Sequence, residues 1–138
     1  MHHTKDKGDI GLTIIIADLV REGWFVSLPL QEHSPYDLIA TKGSTIRRIQ
    51  VKYRTEDKHG ALEVTLRNSW GNSKKGAVRS ARYSATDVDT IAVTNGDKIG
   101  YLDMKEVGHQ DTFKIRIRPS KNNQFKKCRT IEEFAILT

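Results

Sequence analysis

The first apolar residues of the chain recur at helical spacing. Four of them lie three or four positions apart: Ile10, Ile14, Ala17 and Val20. Side chains at this spacing share one face of an α-helix, and a glycine such as Gly23 often follows a helix end. The pattern predicts an amphipathic helix over residues 7–22 whose apolar face carries these four side chains.

Alternation of apolar and polar residues, the pattern of a β-strand, dominates the rest of the chain. Seven segments are predicted strands: 24–28, 36–40, 46–54, 61–68, 89–94, 98–104 and 113–118. The second and third are expected to form a hairpin closed near Gly43, and the fourth to continue the same antiparallel sheet. The fifth and sixth, joined at Asn95-Gly96, are expected to cover that sheet. Thr130 and Glu133 have capping-box spacing, which predicts a short final helix and an α/β (α+β) fold.

Candidate chemistry lies on the first predicted hairpin. Polar side chains alternate along its second arm: Arg48, Gln50, Lys52 and Arg54. A turn at Gly43 places Asp37 roughly opposite Gln50, and the two side chains offer the oxygen ligands that Mg²⁺ (or Mn²⁺) prefers. Lys52 follows on the same face, where an ammonium group can orient water, lower its pKa or stabilise a phosphorane. The arrangement predicts phosphodiester cleavage, and the alternative is an ordinary ion pair of Asp37 and Lys52 with Gln50 solvated.

Basic residues concentrate in two other segments. Residues 68–82 are predicted to form a loop whose cations lie among Gly, Ser and Asn, a mixture suited to phosphate contacts and groove insertion. The predicted strand 113–118 has one apolar and one cationic face. The candidate DNA-binding residues are Arg67, Trp70, Lys74, Lys75, Arg79, Arg82, Lys114, Arg116 and Arg118. A solvated surface loop is the alternative for residues 68–82.

Composition narrows the class of protein. The chain has 138 residues, a formal charge of +6 and a pI near 9.5, which favours one domain over residues 1–138 with a polyanion-binding surface. Residues 7–105 are expected to form its core, and 106–138 a basic strand and terminal helix. No apolar run is long enough to span a bilayer, and no signal-peptide pattern is present. The single cysteine, Cys128, excludes an intrachain disulfide framework and a Cys-rich zinc site, so a cytoplasmic location is expected.

Three motifs resemble those of the PD-(D/E)XK nuclease superfamily. They are Lys7-Gly8-Asp9-Ile10-Gly11, Pro35-Tyr36-Asp37-Leu38-Ile39 and Ile49-Gln50-Val51-Lys52. Over most of its length the chain is similar to the branch of small homing endonucleases encoded in cyanobacterial group I introns, with a likeness expected to approach identity. The resemblance implies a restriction-endonuclease-like core and Mg²⁺-dependent double-strand cleavage of DNA at a long pseudo-palindromic target. It also implies a homo-oligomer, a tetramer built as a dimer of dimers, that is nucleoid-associated while bound to DNA, and no other protein partner.

The sequence departs from this family pattern at two positions. Many relatives carry glutamate on the first helix where this chain reads Leu12-Thr13, and the nearest carboxylate, one turn earlier, is Asp9. The resemblance assigns Asp9 a supporting role, with helix capping as the alternative. Gln50, a weaker Mg²⁺ ligand than a carboxylate, stands at the acidic position of the (D/E)XK motif. The implied metal ligands are Asp37, Asp9, Gln50 and the carbonyl of Val51, and the implied catalytic residues are Asp37, Gln50, Lys52 and Asp9.

Three functions fit these patterns. The first is a sequence-specific, metal-dependent endodeoxyribonuclease that acts as an oligomer, because one small site per subunit cuts one strand and a two-fold pair is needed for both. The second is a structure-selective nuclease resembling a Holliday-junction resolvase. The third is a non-catalytic DNA-binding protein whose basic surface supplies salt-dependent affinity.

Overall fold

The computed structural model describes residues 3–72, 77–82, 87–118 and 129–138, with the stretches 67–72 and 77–82 described in backbone course only. The helical elements are α1 (His3–Arg21), α2 (Met104–Val107) and a final 3-10 turn (Ile131–Phe134). The strands are β1 (Phe25–Ser27), β2 (Leu38–Lys42), β3 (Thr45–Tyr53), β4 (Ala61–Thr65), β5 (Arg67–Asn72), β6 (Ala77–Arg82), β7 (Thr90–Thr94), β8 (Ile99–Asp103) and β9 (Thr112–Arg116). No helix within these ranges is long and apolar enough to cross a membrane.

A five-stranded sheet in the order β1-β2-β3-β7-β8 forms the centre of the fold. Neighbouring strands are antiparallel except β3 and β7, which run parallel. The predicted mixed, mainly antiparallel α/β arrangement is confirmed. The expectation that β7 and β8 cover the sheet is wrong, because both strands belong to it. Every residue of β7 is buried, as is typical of a strand with packing layers on both faces.

A second layer consists of β4 and β9, which pair antiparallel with Val64 opposite Phe113. The prediction that residues 61–68 continue the central sheet is therefore wrong. The cause lies in their side chains: Leu62, Val64 and Ile115 are completely buried against Ile91 of the central sheet, so β4 and β9 pack face to face on that sheet. Alternation along β4 predicted a strand correctly, but it carried no information about a partner fifty residues away.

Residues 68–82 were predicted to form a loop, and that prediction is wrong. The chain there forms an antiparallel ribbon of β5 and β6, in which Trp70 pairs with Arg79 and Arg67 with Arg82. Ser, Gly, Asn and Ala have low strand propensity, so the sequence pattern concealed strands that pairing of the two backbones stabilises. Lys74 and Lys75 lie outside the described residues.

Helix α1 buries a different face from the predicted one. Its buried residues are Gly11, Ile15 and Leu19, whereas Ile10 and Val20 of the predicted stripe are exposed. The predicted face is rotated by one residue, about 100° around the helix axis. Gly11 permits a close approach of α1 to β3, because a Cβ there would lie 3.3 Å from the Cβ of Tyr53, a tight contact.

The C-terminal segment joins two hydrophobic cores on opposite faces of the central sheet. Ile131 and Phe134 belong to the core beneath β4 and β9, and Leu137 to the core beneath α1. The short helix predicted from the capping box is present as a 3-10 turn, and the carboxylate of Glu133 accepts a hydrogen bond of 2.8 Å from the Thr130 N–H. Residues 129–138 thus help to hold both faces of the sheet.

Candidate active site

The β2–β3 hairpin brings the predicted site residues together in the expected register. Leu38 pairs with Ile49, so continuing the pairing by one residue places Asp37 opposite Gln50. The turn between the strands contains Gly43 with φ of 60°, in the left-handed region that glycine adopts readily. The alternation of side chains along β3 and this local turn together determine the register.

Asp37 occupies the edge of β3 at the point where β2 begins. Strand β3 continues beyond that point, so the Val51 N–H has no backbone partner in β2. The carboxylate of Asp37 takes that place, and its Oδ2 accepts a hydrogen bond of 2.7 Å from Val51. The Asp37 N–H donates a hydrogen bond of 2.8 Å to the Ile49 carbonyl. These two bonds fix the carboxylate beside β3. The N–H and C=O of one strand residue point to the same edge, so the Val51 carbonyl points to the edge where the Asp37 carboxylate lies.

Gln50 and Lys52 leave β3 on the face opposite α1. They pair in parallel register with Ile91 and Val93, which belong to the core beneath β4 and β9. Both polar side chains are half-buried, whereas the alternative of an ordinary ion pair expected Gln50 to be solvated. On that face of the sheet, Ile91 and Val93 share a hydrophobic core with residues of β4 and β9.

Burial shifts the pKa values of Asp37 and Lys52 toward their neutral forms. Desolvation raises the pKa of Asp37, opposed by the hydrogen bond from Val51 and the charge of Lys52. Desolvation, together with the nearby charge of Arg54, lowers the pKa of Lys52 to about 8, opposed by the charge of Asp37. In an ordinary surface ion pair, the acid shifts down and the amine up. The observed directions favour a functional site over that alternative.

Asp9 lies apart from this group. It is exposed on α1, outside the buried stripe of Gly11, Ile15 and Leu19, and no hydrogen bond or ion pair among the described residues links it to Asp37. Its supporting role in catalysis stays a prediction.

The oxygen atoms of the candidate site suit a hard divalent ion, but only one of the groups that carry them is negatively charged. The described part of the chain contains no cluster of three or more His, Cys, Asp or Glu residues that could hold a metal. The carboxylate of Asp37, the amide oxygen of Gln50 and the Val51 carbonyl are all oxygen ligands of the kind that Mg²⁺ and Mn²⁺ accept, alongside water and substrate oxygens. These residues fit such an ion with one carboxylate.

Arg48 has a structural role that the sequence pattern did not reveal. Its Nη2 lies 3.0 Å from Oδ1 of Asp89, and its Nε and backbone N–H both donate to Oδ2. This bidentate pair joins β3 to the residue before β7. The partners are 41 residues apart, so no local pattern predicted the contact.

The candidate DNA-binding residues fall into two groups. Lys114 is exposed on β9, but the side chain of Arg116 donates to the carbonyls of His59 and Arg118, and Arg118 forms a bidentate pair with Glu56 at 2.7 and 2.8 Å. Two arginines of the predicted cationic stripe are thus engaged within the protein. Four other candidates occupy paired positions on the β5–β6 ribbon: Arg67, Trp70, Arg79 and Arg82.

Comparisons with known proteins agree with this architecture. The model of the PD-(D/E)XK endonuclease family matches residues 2–137. A solved bacterial homing endonuclease, I-Ssp6803I, is similar with a TM-score of 0.73 and 24% sequence identity, over 90% of this chain and 84% of that chain. The expectation of near identity is wrong, and this likeness shows the fold alone. No curated protein matches the sequence.

Proposed function

The chain belongs to the PD-(D/E)XK endonuclease family, and from that premise we propose that it is a sequence-specific, Mg²⁺-dependent endodeoxyribonuclease. It makes double-strand breaks at a long pseudo-palindromic DNA target, as a homing endonuclease of a group I intron does, and it acts in the cytoplasm. The observation that carries the proposal is the fixed carboxylate of Asp37, bonded to the Val51 N–H at 2.7 Å and close enough to Lys52 for their charges to interact.

A divalent ion would be held by Asp37, the Gln50 amide oxygen and the Val51 carbonyl. When bound, it acts as a Lewis acid on the phosphodiester and lowers the pKa of a bound water. The hydrogen bond from Val51 prevents the Asp37 carboxylate from rotating away from this edge. Gln50 contributes an oxygen without a second negative charge, so the site repels a substrate phosphate less than a pair of carboxylates would.

Lys52 acts mainly as a cation. The pKa of Lys52, about 8, is lowered from its ordinary value, yet the side chain is mainly protonated at pH 7. The ammonium group donates hydrogen bonds to the oxygens on which charge develops as the phosphorane forms. Its partial burial strengthens this interaction, because fewer water molecules compete for the same oxygens. The neutral minority of Lys52 side chains can accept a proton from the attacking water. Lys52 can therefore support both activation of the water and stabilisation of the phosphorane.

DNA binding is proposed to involve the β5–β6 ribbon and Lys114. A two-stranded β-ribbon is narrow enough to enter the major groove, and the ribbon sequence carries Arg67, Arg79 and Arg82. Lys114 adds an exposed cation on β9. The positive net charge of the chain supports association with a polyanion and predicts affinity that falls as salt rises.

A homo-oligomer is part of the same proposal, with a dimer of dimers as its full form. Cutting both strands requires two sites related by two-fold symmetry. Strand β1 lies at the edge of the central sheet and carries Phe25, which is 76% exposed; Leu28 and Leu30 follow it and are also exposed. A shallow apolar groove lined in part by Trp24, Phe25 and Leu28 runs beside it. An unpaired strand edge with apolar side chains suits contact with a second copy.

The decisive experiment is cleavage of a randomised duplex library with Mg²⁺ and with a chelator. We expect Mg²⁺-dependent double-strand cuts by the wild type, none by Lys52→Met, and nearly equal DNA affinity for both proteins. Lys58→Met is the matched control, because Lys58 is exposed in a loop and forms no hydrogen bond or ion pair with other described residues. Equal loss of binding and cutting in Lys52→Met contradicts the assigned role.

One observation favours a non-catalytic DNA-binding protein as the second candidate. Among the described residues, Asp37 is the one acid that lies with Gln50 and Lys52 at the site. A single carboxylate holds a divalent ion weakly, and a weakly held ion gives slow cleavage. Duplex binding without cleavage in either Mg²⁺ or Mn²⁺ would establish that function. Cleavage of four-way junctions in preference to linear duplex would instead indicate a structure-selective nuclease.

A further inference from the structure

Arg54, the residue that follows the last residue of β3, differs in its surroundings from the two cations that precede it on the same strand face, Arg48 and Lys52. Arg48 is paired with Asp89, and Lys52 lies within the influence of Asp37. Arg54 is half-buried, and among the described residues its guanidinium forms one hydrogen bond, from Nη1 to the neighbouring Tyr53 carbonyl at 2.8 Å. In the described ranges no carboxylate lies within ion-pair distance of it. A guanidinium has five N–H donors, so most of its donors are available to a ligand.

The backbone places Arg54 on the same face as Lys52. The Arg54 N–H donates a hydrogen bond of 2.9 Å to the Thr94 carbonyl, which continues the β3–β7 ladder one residue beyond Tyr53. Alternate residues of a strand share a face and are about 6.6 Å apart along it. Arg54 is therefore the next side chain after Lys52 on the catalytic face.

Two half-buried cations at successive positions on one strand face repel each other. An anion between or beside the two groups would remove this cost. A guanidinium matches a phosphate well, because two parallel N–H groups can contact two phosphate oxygens.

We propose that Arg54 is a phosphate-binding residue of this site, which contacts a backbone phosphate of the bound nucleic acid strand next to the phosphodiester held at Asp37 and Lys52. The assignment rests on the proposed nuclease function and adds a substrate contact to it. In this arrangement Lys52 faces the reacting phosphate and Arg54 fixes the register of the strand relative to it.

The test compares Arg54→Gln and Arg54→Lys with wild type in a chelator, with a fluorescein-labelled duplex of mixed sequence as the probe. Affinity is measured by fluorescence anisotropy over a series of salt concentrations. Arg21→Gln is the matched control, because Arg21 is exposed at the end of α1, about 15 Å along the helix axis from Gly11. Thermal unfolding of each variant establishes that it is folded.

We expect Arg54→Gln to weaken binding roughly 10-fold, and to reduce the slope of log affinity against log salt by about 0.9, the value for one lost phosphate contact. Arg54→Lys keeps the charge and the slope but loses the bidentate contact, so its affinity falls less. Arg21→Gln keeps the wild-type slope. If Arg54→Gln does not fold, Arg54→Lys is compared with wild type for reduced affinity at an unchanged slope.

Two results overturn the inference in distinguishable ways. A wild-type slope and affinity in both Arg54 variants, while the wild type binds duplex, contradict the Arg54 assignment alone. A wild-type protein that does not bind duplex at low salt contradicts the proposed function and the assignment together.

Discussion

The substitution Asp37→Asn separates the chemical role of this side chain from its structural one. Asparagine has the same shape, and its carbonyl oxygen can still accept the hydrogen bond from Val51. Replacing a charged acceptor by a neutral one weakens that bond by about 1 kcal/mol. The opposing effect is burial, which raises the pKa of Asp37 despite the hydrogen bond and the charge of Lys52. The folded protein therefore favours a neutral group at this position.

The sign of the stability change follows from that pKa. An acid whose pKa is higher in the folded than in the unfolded protein stabilises the fold relatively at low pH, and this stability is lost as pH rises through the folded pKa. We therefore expect Asp37→Asn, in a chelator at neutral pH, to have a free energy of unfolding equal to or higher than that of wild type, with a matching change in Tm. Below pH 3.8, the pKa of the free side chain, this advantage disappears.

Metal addition gives the second measurement. A ligand at ten times its Kd stabilises the folded state by about 1.4 kcal/mol, so Mg²⁺ should raise the Tm of wild type and not that of Asp37→Asn. Cleavage is lost in the variant, and DNA affinity is retained. Asp97→Asn removes the same charge at an exposed turn and is the control. If Asp37→Asn is less stable than wild type in the chelator, the burial argument is wrong, because the cost of burying the charge then does not outweigh the weakened hydrogen bond. If Mg²⁺ stabilises it as it does wild type, Asp37 is not a ligand.

Two further predictions concern the scaffold. Asp89→Asn should lower the free energy of unfolding by about 1 kcal/mol at neutral pH, because it removes the charge paired with Arg48. The hydrogen bond from Arg48 lowers the pKa of Asp89, so the difference in unfolding free energy between Asp89→Asn and wild type, measured with urea, should vanish as pH falls through that pKa. A difference that persists at lower pH contradicts the pairing. A similar loss of stability in the control Asp97→Asn also contradicts it. Phe25→Ser should reduce the mass of the oligomer, measured by light scattering after gel filtration, without lowering the helix content of the protein. Ile136→Ser, which changes another exposed apolar residue, should leave the mass unchanged. An unchanged mass in Phe25→Ser excludes the β1 edge as the interface.

Local patterns were sufficient for the parts of the fold that neighbouring residues determine. The hairpin of β2 and β3 was predicted in its correct register, because alternation in both arms and a glycine turn act within a few residues of each other. The pairing of β4 with β9 was not, because its partners lie in distant parts of the chain. The buried face of α1 was also missed, since Leu12, Ile15 and Ile16 offered a second apolar stripe one residue away from the predicted one.

The candidate site follows the same division. The sequence predicted that Asp37, Gln50 and Lys52 lie together, because all three belong to one hairpin. The electrostatics of the site could not be predicted, because the lowered pKa of Lys52 has burial as its largest cause, and burial depends on tertiary packing around β3 that no local pattern records. A solvated lysine on an isolated hairpin would keep an ordinary pKa and a weak interaction with phosphate. Tertiary packing, which the sequence pattern did not reveal, is thus what turns a polar strand face into a site able to stabilise charge.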